Sequence, residues 1–168
     1  CKKLSGYLFF DYATYRGIDG KHIPNLVMAQ TVCVNCLLIE DPACWCDADR
    51  EKNIFYNNTD FCEWLLNQED YICFAHNLKG YDGVFILQHI LKSFLPTDKF
   101  PSVIVAGSKI LSIEFRKLKI IDSCSFIPMA LSKFAKTFSL KELKKGFFCH
   151  AFNKPENQAY IGFYPSKP

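Results

Sequence analysis

Phe74-Ala75-His76-Asn77-Leu78-Lys79-Gly80-Tyr81-Asp82-Gly83-Val84-Phe85 is the stretch on which the reading of this chain turns. The apolar run from Tyr71 to Ala75 ends in polar His76 and Asn77 and passes through the breaker Gly80. It restarts with Val84, Leu87 and Leu91 at helical spacing. This pattern predicts a strand, a tight turn and a helix. Asp82 falls at the helix start, where the helix dipole favours a carboxylate, and Asn77 leaves the strand end with an amide that bonds in two directions. Two readings fit at this point: an ordinary connection capped by an aspartate, or a ligand site of the kind found at strand ends in α/β sheets.

A chain of 168 residues is long enough for one ordinary domain with a single core. Its 49% hydrophobic content, with 16 Phe and 8 Tyr, excludes disorder. No apolar run approaches the roughly 20 residues that span a bilayer, so no membrane partner is expected. The net charge of +3 permits nucleic acid as a partner without arguing for it. The chain opens Cys1-Lys2-Lys3-Leu4 with no signal peptide and no starting Met, as a fragment would. An odd count of nine cysteines fits reduced thiols or a metal better than a disulfide scaffold, so a reducing, intracellular compartment is expected, nuclear or element-associated.

Towards the N-terminus, Gly6 to Phe10 reads as a first strand that delivers Asp11 at its end, and Asn25 to Val34 as a half-buried second strand after a polar loop. Cys33-Val34-Asn35-Cys36 and Cys44-Trp45-Cys46 follow, seven residues apart. Two such pairs can close a tetrahedral zinc site. The second half is CxC, however, so Asp47 or Cys62 is a possible substitute ligand, and unmetallated thiols are the alternative. Asn53 to Tyr56 is a short strand. Thr59 to Leu66 is a helix whose capping box would run from Asp60 to Glu63.

Beyond the central stretch the helix from Asp82 stops near Phe94, ahead of Pro96. Ser102 to Ala106 is a strand, and Lys109 to Phe115 and Leu118 to Asp122 form a hairpin. Leu131, Phe134, Ala135 and Phe138 predict a short helix with that face inward and Lys133 and Lys136 outside. Those lysines, with Lys141, Lys144 and Lys145, are either a basic contact surface or a merely solubilising one. From Asn153 the chain reads as a polar linker. The order of elements predicts an α/β fold of the ribonuclease H-like class, a mixed sheet flanked by helices. Asp11 and Asp82, on neighbouring elements, are oxygen ligands of the kind that suit Mg²⁺ or Mn²⁺ in phosphodiester cleavage.

Asp11-Tyr12-Ala13-Thr14, His76 to Gly83, Asp122-Ser123-Cys124, Ile127-Pro128-Met129 and Lys133 to Phe138 together resemble the proofreading 3′–5′ exonuclease domain of protein-primed family B DNA polymerases. The resemblance is to the viral, organellar-plasmid and Maverick/Polinton members and covers nearly the whole chain. It implies a DnaQ-like exonuclease domain over residues 1–152, with a cysteine-rich insertion at 33–52 and a tail at 153–168. It implies catalytic, metal-binding carboxylates at Asp11 and Asp82. It implies contacts to a single-stranded 3′ end from Thr14, His76, Asn77, Phe85, Ser123 and Cys124. Relatives that carry two cysteine pairs after the second strand favour structural Zn²⁺ at Cys33, Cys36, Cys44 and Cys46. For the parent polymerase the resemblance implies Mg²⁺ or Mn²⁺, single-stranded or primer-template DNA, and a terminal priming protein. The chain departs from the family at two points. Ala13 stands where the first motif has a glutamate, and the third motif, a Tyr followed by an Asp, is not found. The expectation is a catalytically silent domain. The alternatives are a non-catalytic single-stranded nucleic-acid-binding module and a zinc-stabilised interaction module.

Overall fold

A computed structural model of the chain describes residues 5–35, 53–94, 99–140 and 148–163. Its frame is one seven-stranded sheet in the order β3-β2-β1-β4-β7-β6-β5. The strands are β1 (Gly6–Arg16), β2 (His22–Cys33), β3 (Asn53–Phe55), β4 (Tyr71–Ala75), β5 (Ser102–Ala106), β6 (Lys109–Phe115) and β7 (Leu118–Asp122). β1, β4 and β7 run parallel at the centre, and the remaining pairings are antiparallel. The mixed α/β sheet flanked by helices expected from the sequence is therefore what forms.

The core lies on one face. Alternation in β1 sends Leu8, Phe10 and Tyr12 to that face. There they meet Phe61 and Leu65 of α1 (Asn58–Leu66) and Ile86 and Ile90 of α2 (Asp82–Phe94). Phe61 is fully enclosed, with ring centroids 5.2 Å from Phe10, 5.3 Å from Tyr12 and 5.5 Å from Phe55. On the opposite face Phe9 and Met28 stay largely exposed, and Phe9 stacks on Phe74 at 5.7 Å.

Three local expectations need correction. Asp11 does not end its strand, because pairing with β2 carries β1 on to Arg16, opposite His22. The capping box of α1 closes between Asn57 and Asp60 rather than between Asp60 and Glu63. Asn57 Oδ1 accepts from Asp60 N at 2.9 Å, and Asn57 Nδ2 donates to Asp60 Oδ2 at 2.7 Å. The helix expected over Leu131–Phe138 is a 3₁₀ turn, Leu131–Lys133, running into a single α-turn, α3 (Phe134–Thr137). Leu131 and Phe138 stay exposed, because so short an element buries only Phe134 and Ala135, and those by half. Of the basic segment beyond it, Lys141, Lys144 and Lys145 lie outside the described residues.

Candidate functional site

The register of the central strands gathers the site. Phe10 pairs with Ala75 and Ala75 with Asp122, so the next residues along, Asp11, His76 and Ser123, lie side by side where the parallel strands end. All three line a groove of about 660 Å³. Its floor is the open sheet face, Phe9, Met28 and Phe74, and its wall is Phe126, Ile127, Leu131 and Phe134.

His76 is the polar hinge of this groove. Its Nε2 lies 2.9 Å from Met129 O, and a carbonyl only accepts, so Nε2 carries the proton. In the neutral ring Nδ1 then accepts from the Ser123 hydroxyl, 2.9 Å away. Ser123 Oγ also lies 3.3 Å from Ala75 O, and its single proton serves one of the two acceptors at a time. Cys124 Sγ rests against the same ring, 3.4 Å from Nε2, and Phe134 meets it edge-on at 5.3 Å.

The turn from β4 to α2 is held by a residue that sequence reasoning quoted only as part of a motif. Asp122 is fully buried, and its carboxylate accepts from Asn77 N at 3.1 Å, Lys79 N at 3.2 Å and Cys124 N at 2.8 Å. Asn77 has a left-handed backbone, φ 70°, and its side chain is exposed. Gly80 donates to Asn77 O at 2.8 Å. A Cβ at Gly80 would stand 2.9 Å from the Asn77 side-chain amide and 3.1 Å from Asn77 O, so a larger residue there would displace the Asn77 side chain and crowd its carbonyl.

Asp82 opens α2 and is 6% exposed. Its carboxyl is pushed up to about 7, first by burial and then by the negative charges of Asp11 and Asp122. Asp11 itself is exposed, on the face of β1 opposite Phe10 and Tyr12. Thr14 and Phe85 lie on another flank. Thr14 Oγ1 is 2.9 Å from His22 Nδ1, and the His22 ring stacks on Tyr81 at 5.2 Å with planes 10° apart. Phe85 is half-buried between Tyr12 and Tyr81, its ring centroid 5.6 Å from each. His22, Tyr81 and Asn153 were not singled out from the sequence. The Pro24-Asn25 step in β2 was the one local signal of an interrupted ladder.

For a pair of divalent ions the donor set is thin. Asp11 and Asp82 offer carboxylates, the Asp122 carboxylate is spent on three N–H groups, and Ala13 brings no oxygen. Among the described residues no group of three or more His, Cys, Asp or Glu gathers that could hold a metal ion. The described residues do not fit a two-ion centre. Of the cysteine quartet, Cys36, Cys44 and Cys46 lie outside the described residues, as does Asp47. Cys33 ends β2, half-buried. Cys62 is enclosed in the core, where burial pushes its thiol up to about 12, an environment that disfavours a metal-binding thiolate. Cys62, Cys73, Cys124 and Cys149 are free thiols, and among the described residues no helix is long and apolar enough to cross a membrane.

Comparison with known proteins adds three findings. A family profile, DNA polymerase type B, organellar and viral, matches residues 62–167. Among solved structures, phi29 DNA polymerase complexed with single-stranded DNA superposes with a TM-score of 0.62 at 20% identity, over 87% of this chain and 26% of that one. The family B DNA polymerase of the hyperthermophilic archaeon Pyrobaculum calidifontis superposes with a TM-score of 0.51 at 13% identity, over 84% of this chain and 19% of that one. The chain thus spans about a quarter or less of either polymerase, and at these identities the likeness is one of fold. No curated protein matches the sequence.

Proposed function

We propose, from the premise that the chain belongs to the type B DNA polymerases of organellar and viral kind, that it is a 3′–5′ exonuclease-type domain that holds single-stranded 3′ ends but does not cleave them. The observation that carries this reading is the groove in which Asp11, His76 and Ser123 stand together at the ends of β1, β4 and β7. Its rings, Phe9, Phe74, Phe126 and Phe134, offer faces on which bases stack whatever their sequence. His76 and Ser123 present polar atoms suited to sugar or phosphate, and Asn77 projects an exposed amide next to them. Thr14, Phe85 and Cys124 complete the contact set. The phi29 polymerase that shares the fold is itself complexed with single-stranded DNA.

Catalytic silence follows from the donor set. With Ala13 in place of a carboxylate and Asp122 already accepting three backbone N–H bonds, Asp11 and Asp82 are the carboxylates left at the site among the described residues, for ions that a two-metal hydrolysis needs in pairs. In the longer polymerase of which such a domain forms part, we place primer-template DNA and a terminal priming protein as partners.

Incubation of the chain with end-labelled single-stranded DNA and Mn²⁺ tests the silent half of the proposal. No shortening is expected, and metal-dependent 3′ shortening abolished by Asp82→Ala would overturn it. A salt titration of oligonucleotide binding tests the other half. Affinity that falls with added salt is expected, and none even at low salt would favour the interaction module instead.

A further inference from the structure

We infer that Asn153 is a positioning residue for the nucleic-acid-contacting edge of β1, its side-chain amide locking the bulge beside Thr14. The inference rests on the reading above, in which Thr14 contacts a single-stranded 3′ end.

The ladder between β1 and β2 is interrupted in β2. Ala13 pairs with Leu26 but Thr14 pairs with Pro24, so Asn25 is the extra residue of a bulge. Proline has no amide hydrogen, and the position opposite Thr14 therefore offers β1 no backbone donor. Asn153, 139 residues further on, supplies one: its Nδ2 donates to Thr14 O at 3.1 Å. The same Nδ2 donates to Asn25 Oδ1 at 3.1 Å, while Asn153 Oδ1 accepts from Asn25 Nδ2 at 2.6 Å. Gln158 closes the cluster, donating to Asn153 Oδ1 at 3.1 Å and accepting from Asn25 Nδ2 at 2.6 Å.

The amide arrives already aimed. Asn153 N donates to Cys149 O at 3.1 Å and His150 O at 3.2 Å, so the turn that carries it is fixed by its own backbone. What it holds matters because register slips are all or nothing: a shift of one residue turns every side chain beyond it to the other face. With the bulge in place the Thr14 hydroxyl meets His22 Nδ1 at 2.9 Å, and the His22 and Tyr81 rings stack. Asn153 thereby holds His22, the partner of the Thr14 hydroxyl, on the face of β2 that Thr14 meets, and it is not itself among the groove's lining residues.

The test uses the full chain and four variants, Asn153→Ala, Gln158→Ala, Thr14→Val and Pro24→Ala. The readouts are residue-resolved amide exchange and affinity for a short oligo(dT) with a free 3′ end. Asn153→Ala is expected to speed exchange over residues 12–16 about fivefold to tenfold, as loss of a partly buried hydrogen bond does, with the Tyr71–Ala75 strand unchanged. Oligo(dT) affinity should fall by a similar factor, and adding Thr14→Val to Asn153→Ala should weaken it no further. Gln158→Ala, which leaves the Thr14 bond intact, should move both readouts less than twofold. Pro24→Ala restores a backbone N–H opposite Thr14 and should rescue the Asn153→Ala variant, while the non-additivity with Thr14→Val is what a merely structural role would not predict. Unchanged exchange over 12–16, full additivity with Thr14→Val, or no rescue by Pro24→Ala overturns the inference. Faster exchange with unchanged affinity, in a wild type that does bind oligo(dT), overturns the positioning role alone. Absence of wild-type affinity overturns the nucleic-acid reading on which it rests.

Discussion

Replacing Asp82 with asparagine isolates the electrostatics of the candidate site. Two effects oppose each other at this carboxyl. The N-terminus of α2 favours the ionised form, by ~0.3–1 kcal/mol. Burial and the charges of Asp11 and Asp122 favour the neutral form and win, lifting the carboxyl from 3.8 to about 7. At about 1.4 kcal/mol per pH unit that difference corresponds to about 4 kcal/mol. The folded value lies above the unfolded one, so the stability that Asp82 contributes is fully present below about pH 4. It is lost as pH rises towards 7. An asparagine side chain keeps the shape and never ionises. Urea denaturation at a series of pH values between 4 and 8 should therefore show the two proteins close together at the acid end. At pH 8 the Asp82→Asn variant should be the more stable, by up to about 4 kcal/mol. A difference that does not change with pH, or a variant that is less stable at pH 8, would refute the reasoning.

Other perturbations separate packing from charge. Asp122→Ala strands three buried N–H donors and should cost at least about 3 kcal/mol, at about 1–3 kcal/mol for each unsatisfied donor; a loss below about 1 kcal/mol in urea unfolding would contradict the anchoring role. Phe61→Ala removes the ring at the centre of the core and should cost about 3–5 kcal/mol in the same assay. His89 is buried, its Nε2 has no hydrogen-bond partner among the described residues, and burial holds its pKa below the ordinary value. Its contribution to stability is present above the ordinary histidine range and lost as pH falls through it. His89→Leu should therefore flatten the acid limb of the stability curve, and an unchanged limb would exclude His89 as its source.

Local periodicity made much of the fold legible. The alternation of Lys109–Phe115 and Leu118–Asp122 located the β6–β7 hairpin, and the run Tyr71–Ala75 with its polar end gave β4 and the start of α2 at Asp82. What stayed hidden depends on partners far away in sequence. β1 outlasts its apolar run because β2 pairs with it to Arg16. Asp122 gains its weight from backbone groups of Asn77 and Lys79, more than 40 residues away. Asn153 reads as linker until the donor missing at Pro24 is placed opposite Thr14. The segment after Leu131 misled for a different reason. A helical spacing of four apolar residues cannot bury a face unless the element is long enough to pack, and here only the four residues Phe134–Thr137 are α-helical, so Leu131 and Phe138 remain exposed.

The central claim, that the groove at the ends of β1, β4 and β7 receives a single-stranded 3′ end, is most directly tested by following backbone and histidine ring resonances while oligo(dT) is titrated in. The account predicts that the shifts concentrate on Asp11, His76, Asn77, Ser123 and the rings of the sheet face, and that blocking the free 3′ end weakens them. Shifts confined to the lysine-bearing surface around Lys133 and Lys136, with His76 and Ser123 unmoved, would contradict it.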